Sequence, residues 1–141
     1  MVSKRAYIDH LRNVSLFSGF SRKDLERIAS AGDVVTLSKG HTIVHEGRDG
    51  HEAFVILSGR VTVKRNGRTI THLDEGAILG ELSLLDHGPR TATAICDTDA
   101  TLLVLTHGAM LAAVDDVPAL ARKLFLSLAS RIRDLDGRSY V

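Results

Sequence analysis

A disulfide scaffold is excluded at once, because the 141 residues include a single cysteine, Cys96, and an internal bridge needs two. That cysteine use fits a reducing compartment, so the chain is expected to be cytoplasmic. Cys96 itself, at the end of TATAIC, reads as a small apolar strand residue rather than a reactive thiol. Long apolar runs are missing too. No stretch of about 18 uncharged apolar residues occurs, and the N-terminal MVSKRAYIDHLRN has no signal-peptide core, so no membrane association is expected. An excess of charge is also absent: 18 basic residues face 17 acidic ones, for a formal net charge of +1. A general nucleic-acid or membrane-surface binder is disfavoured, and any charge chemistry must be local. There is no internal repeat and no low-complexity tract.

Several catalytic signatures are absent as well. No Gly-Lys pair occurs, which removes a Walker A loop, and no two glycines stand two apart, which removes a dinucleotide fingerprint. No Gly-x-Ser-x-Gly elbow is found. Seven histidines invite a metal reading, yet none lie two apart as a cupin pair requires. His41 and His45 on one strand would stand about 13 Å apart, too far to share an ion. His45-Glu46 and His51-Glu52 each begin a zincin pattern that Asp49 and Val55 then fail to complete. No metal and no enzymatic activity are expected, with a metal cupin kept as the least favoured alternative.

What is present is an ordinary globular composition, 44% apolar and 25% charged, at a length suited to one continuous core. The pattern divides into three. Residues 1–31 carry helical spacing, first in Tyr7, Ile8 and Leu11, then in SRKDLERIAS, where Ser21 is an N-cap, Asp24 sits in the first turn and Leu25 and Ile28 share a face. Leu16, Phe17 and Phe20 lie between these helices, whose apolar faces are expected to serve as packing rather than as a site. Residues 32–108 are punctuated by Gly32, Gly40, Gly47, Gly50, Gly59, Gly67, Gly76, Gly80 and Gly88 between short segments rich in Val, Ile, Leu and Thr. Such spacing predicts roughly eight strands and a jelly-roll barrel. AFVILSGRVTVKRNGRTITHL reads as two strands with an Asn66-Gly67 hairpin. Residues 109–141 return to helical spacing, with Leu120, Leu124, Leu128, Ile132 and Leu135 on a helix of about five turns that opens at Pro118. The fold class is therefore mainly β with flanking helices: one domain over 1–141, with N-terminal helices and a C-terminal lid or hinge helix.

The stretch 78–94, ILGELSLLDHGPRTATA, is longer than a barrel turn needs. Gly80 lets the backbone approach a ligand, and ELSLLD suits a single helical turn whose free N–H groups form an anion site. Arg90 follows Gly88-Pro89, and a guanidinium grips two phosphate oxygens in a way that lysine does not. Glu81 would repel a phosphate unless it has a hydroxyl partner, which a ribose 2′-OH supplies. One arginine, one carboxylate and several amides describe a singly charged ligand with a sugar hydroxyl, such as a cyclic nucleotide.

The same residues resemble the cyclic-nucleotide-binding domain family of catabolite-activator-like regulators, cAMP-dependent kinase regulatory subunits and cyclic-nucleotide-gated channels. Its phosphate-binding cassette is similar to Gly80, Glu81, Leu82, Ser83, Leu84 and Leu85, followed by Pro89, Arg90, Thr91, Ala92 and Thr93. Upstream, EGRDGHEAFVILSGRVTV (46–63) is similar to the family's glycine-turned strand pair. The resemblance implies a regulatory sensor that binds cAMP, or cGMP, and transmits binding through its C-terminal helix. It implies that Glu81 binds the ribose 2′-OH, that Arg90 binds the exocyclic phosphate oxygens, and that Gly80 and the amides of Leu82, Ser83 and Thr91 complete the cradle. Leu79 departs from the aromatic residue often found before the Gly-Glu pair. Thr91 leaves the nucleotide open, with cAMP preferred.

Plainer readings exist for each residue. Arg90 alone would suit a surface ion pair with Glu81 or Asp86, the glycines would suit turns, and Ser83 and Thr91 would suit local backbone hydrogen bonds. A ligand-free interaction or dimerisation module of the same fold is the main alternative function. Arg122, Lys123, Arg131 and Arg133 line the last helix, but with no helix-turn-helix after it, no direct DNA binding is expected. The partners expected are the cyclic nucleotide, an effector, and a second copy through the C-terminal helix; Phe125 and Tyr140 are candidates to cap the base.

Overall fold

The computed structural model describes residues 7–80 and 88–135. The chain opens with one helical turn, α1 (Ile8–Leu11), and a 3-10 turn over Ser15–Phe17, then α2 (Arg22–Ala31). The Ser21 hydroxyl accepts a hydrogen bond from the Asp24 N–H at 3.1 Å, so the expected cap satisfies one of the helix's orphan donors. Leu25 and Ile28 are fully buried on one face.

Eight strands follow among the described residues: β1 (Asp33–Leu37), β2 (Thr42–Val44), β3 (Glu52–Ser58), β4 (Val61–Arg65), β5 (Arg68–Leu73), β6 (Ile78–Leu79), β7 (Thr93–Cys96) and β8 (Ala100–Thr106). They form two four-stranded antiparallel sheets, ordered β1-β8-β3-β6 and β2-β7-β4-β5. That pairing is the jelly roll expected from the glycine spacing. One detail differs. The segment 53–73 holds three strands rather than two, because Gly59, at φ +96°, turns the chain out of one sheet and into the other. A side chain at Gly59 would meet the Asp99 carbonyl oxygen at 2.5 Å, so the corner has no room for one. Asn66 and Gly67 take φ of 53° and 77°, the positive pair a two-residue hairpin demands.

Two cores share β3. Its even residues Phe54 and Ile56 face the opposite sheet and share a core with its Val61, Ala94 and Cys96 and with Leu79 and Leu102 of their own sheet. Its odd residues Ala53, Val55 and Leu57 face a helical layer built from Ile8, Leu11, Phe17, Leu25 and Ile28. β8 is divided in the same way, with Leu102 inward and Leu103 and Leu105 toward the helices. Period-2 alternation with both faces buried is what makes AFVIL a continuous apolar run. Cys96 is 1% exposed between the sheets, and burial, with Asp99 nearby, raises its thiol pKa, so the neutral strand residue expected from sequence is what the fold contains.

The helical layer is completed by α3 (His107–Asp116), capped by the Thr106 hydroxyl, and α4 (Pro118–Leu135). Met110, Ala113, Val117, Leu120 and Leu124 join the helix-side core. Beyond Leu124 several apolar side chains face solvent: Phe125 is 72% exposed, Leu126 57% and Ile132 66%. Among the described residues no helix is long and apolar enough to cross a membrane.

Candidate functional site

Glu81, Leu82 and Ser83, with the rest of 81–87, lie outside the described residues, as does Tyr140. The two ends of the cassette, Gly80 and Pro89–Thr91, are described and are brought together. β6 ends at Leu79, which is paired with Phe54 of β3, and Gly80 then turns with φ +80°. A Cβ there would lie 2.9 Å from the Glu52 carbonyl oxygen and would strike the Arg90 Nη1. Only glycine leaves that space to the guanidinium.

On the other side, the neighbouring β2–β3 loop grips the returning segment. The Arg90 N–H donates to the Arg48 carbonyl at 2.8 Å, and the Gly47 N–H donates to the Arg90 carbonyl at 2.9 Å. Asp49 and Pro89 form an isolated antiparallel bridge. Gly47 takes φ +84°, which lets this loop double back. The grip was not foreseen from the sequence, although the Glu-Gly-x-x-Gly pattern at 46–50 marks the loop.

Arg90 is 9% exposed, one of the few buried charged or polar residues. A surface ion pair would look different. Its guanidinium carbon stands 5.8 Å from the Phe54 ring centroid, within the range of a cation–π contact. Desolvation lowers its pKa, an effect opposed by the field of Glu52, and arginine stays charged in either case. Among the described residues, Nη1 has no hydrogen-bond partner. A buried, charged donor left unpaired is costly, and the group that would satisfy it is an anion with oxygens to offer.

Thr91 is exposed, and its carbonyl accepts a hydrogen bond from the Arg65 Nε–H at 2.9 Å. Phe125, the other base-capping candidate, projects into solvent on α4. Among the described residues no group of three or more His, Cys, Asp or Glu side chains could hold a metal ion. Glu52 and Phe54, which flank Arg90, were missed by sequence reading; their even spacing with Ile56 on the inward face of β3 was the available signal.

Comparison with known proteins agrees with this geometry. The model of the cyclic nucleotide-binding domain family matches residues 34–116. The chain is 29% identical over 128 residues to the CRP-like cAMP-activated global transcriptional regulator of Mycobacterium tuberculosis, an alignment covering 87% of this chain and 57% of that protein. It is 30% identical over 131 residues to the cyclic AMP receptor protein of Thermus thermophilus, covering 89% and 61%. The chain therefore spans somewhat more than half the length of these two relatives. The crystal structure of the N-terminal domain of a transcriptional regulator from Streptomyces coelicolor A3(2) superposes with a TM-score of 0.78 at 31% identity, covering 94% of this chain and 95% of that one. The strand order, the glycine-lined arginine site and the family match together place this chain in the cyclic nucleotide-binding domain family.

Proposed function

We propose that this chain, acting as one unit over 1–141, is a non-catalytic cytoplasmic sensor that binds cAMP in preference to cGMP and reports occupancy through its C-terminal helix. The observation that carries the reading is the buried Arg90 guanidinium, held over Phe54 and facing Gly80, with Nη1 unpartnered among the described residues. An exocyclic phosphate oxygen would satisfy that donor. The amides of Leu82, Ser83 and Thr91 would share the phosphate charge, and Glu81 would accept from the ribose 2′-OH. The preference for cAMP rests on the two relatives named above, whose names specify that nucleotide.

Output follows from linkage. Closure of 80–90 on the phosphate would repack Leu82, Leu84 or Leu85 against α4, and a preference of about 1 to 3 kcal/mol for one helix position would suffice for signalling. The exposed Phe125 and Ile132 stand seven residues apart on one face of α4, a spacing suited to a helix seam between two copies of the chain. The sensor reading therefore includes a homodimer, whose effector is a separate protein or domain. Sedimentation should detect the dimer, and Ile132→Glu should yield a monomer.

Calorimetric titration with cAMP, cGMP and AMP tests the core claim. One saturable site per chain for the cyclic forms, tighter for cAMP, is expected. Absence of heat with both cyclic nucleotides would leave the ligand-free dimerisation module as the function.

A further inference from the structure

Among the described residues the Arg90 Nη1 has no hydrogen-bond partner, so apart from its contact with Phe54 the guanidinium is aimed by the backbone from which it leaves. That backbone is braced from two directions. The β2–β3 loop holds Arg90 itself through Gly47 and Arg48. The tip of the β4–β5 hairpin holds the next residue, with the Arg65 Nε–H donating to the Thr91 carbonyl at 2.9 Å. Glu46 joins the two braces: its Oε1 accepts from the Asn66 N–H at 3.0 Å, and its own N–H donates to Thr93 Oγ1 at 3.0 Å. Hairpin tip, loop and cassette end are thus one hydrogen-bonded clamp.

The hairpin carries a local conflict that the clamp explains. Arg65 and Arg68 are directly opposed across the two strands, and like charges in that position are unfavourable. A hairpin selected for stability alone would not place two arginines there. Turning Arg65 out to Thr91 gives its charge a carbonyl to bind and relieves the opposition.

We infer that Arg65 and Glu46 are positioning residues for the phosphate site: they do not touch the ligand but fix the segment that carries Arg90 and Thr91. The inference rests on the cyclic-nucleotide reading above. It makes the hairpin tip a determinant of how the two exocyclic oxygens are told apart, because a guanidinium held at one angle favours one of them.

The test uses the full chain and the Rp and Sp phosphorothioate forms of cAMP, in which sulfur replaces one exocyclic oxygen or the other. Arg65→Ala should raise the cAMP Kd about three- to tenfold, the effect of one lost hydrogen bond, and should bring the Rp/Sp affinity ratio closer to unity, with little change in the ligand-free melting temperature. Glu46→Ala should do the same, whereas Glu46→Gln, which keeps an acceptor oxygen for Asn66, should stay close to the native Kd. The double variant R65A/E46A should lose little more than the worse single one, since both act through one clamp. A native Kd and Rp/Sp ratio in R65A overturns the inference. So does a raised Kd with an unaltered ratio, which would mean general loosening. Failure of the native chain to bind any cyclic form would instead overturn the reading beneath it, a result distinct from either of these.

Discussion

Gly80 and Gly40 make a matched pair for testing whether the space beside Arg90 matters. Both adopt left-handed backbone, φ +80° and +89°. At Gly40 an added Cβ meets nothing within 4 Å, while at Gly80 it meets the Glu52 carbonyl oxygen at 2.9 Å and Arg90 Nη1 closer still. Alanine at either site incurs the left-handed strain, about 1 to 2 kcal/mol, which lowers the melting temperature by about 2 to 8 °C in a chain of this size. Only at Gly80 does the second effect follow. Glu52 is register-paired to Thr106 in the sheet, so its carbonyl yields less readily than the flexible guanidinium, which gives way. If displacement removes even 2 kcal/mol of phosphate binding, at the low end for a desolvated charge partner, Kd rises about 30-fold. At cAMP equal to 100 times the native Kd, ligand stabilisation would fall from about 2.7 to about 0.9 kcal/mol. Thermal melts with and without cAMP measure both quantities. G40A should keep the full ligand-induced shift from a lowered baseline, and G80A should keep about a third of it. A full shift in G80A would refute the argument that this glycine exists to clear the guanidinium.

Three other outcomes are expected. Arg90→Ala should weaken cAMP binding by about 2 to 5 kcal/mol, read by calorimetry, and Arg90→Lys should recover little of it because a point charge cannot reproduce the planar fork. Glu81→Ala should cost about 1.5 to 3 kcal/mol with cAMP and much less with its 2′-deoxy analogue; equal losses would remove Glu81 from the sugar. Glu52→Gln should tighten cAMP binding by about two- to fivefold at low salt, since it removes the negative field that acts on Arg90, and the gain should shrink as salt screens the half-exposed carboxylate. The substitution takes away the influence that raises the Arg90 pKa, yet the guanidinium remains protonated at any working pH.

The sequence announces those features whose causes are local. Ser21 caps α2 because its hydroxyl reaches Asp24, three residues away, and Asn66-Gly67 makes a hairpin because of its own backbone preferences. Glycine spacing gave the strand count for the same reason. Pairing was not legible, because β1 and β8 meet through contacts far apart in sequence, and no local signal encodes such a partner. The division of AFVILSGRVTV into strands of different sheets was marked only by Ser58-Gly59-Arg60, and the apolar run before them, AFVIL, shows no inward face because both faces of β3 are buried. At the site, Arg90 stood out through its motif. Its resting place over Phe54, and the loop that holds it, depend on tertiary contacts that begin about 40 residues earlier.

Strand β3 acts as a party wall. One side of it, at Phe54, borders the charged chamber, and the other, at Val55 and Leu57, is the floor on which the terminal helices rest. Any tilt of that strand must be felt by the helices one side chain away, without any relay of intermediate residues. The same economy limits adaptation: a substitution on β3 that reshapes the chamber also shifts the floor beneath the helices, so the two faces of the strand cannot be altered independently.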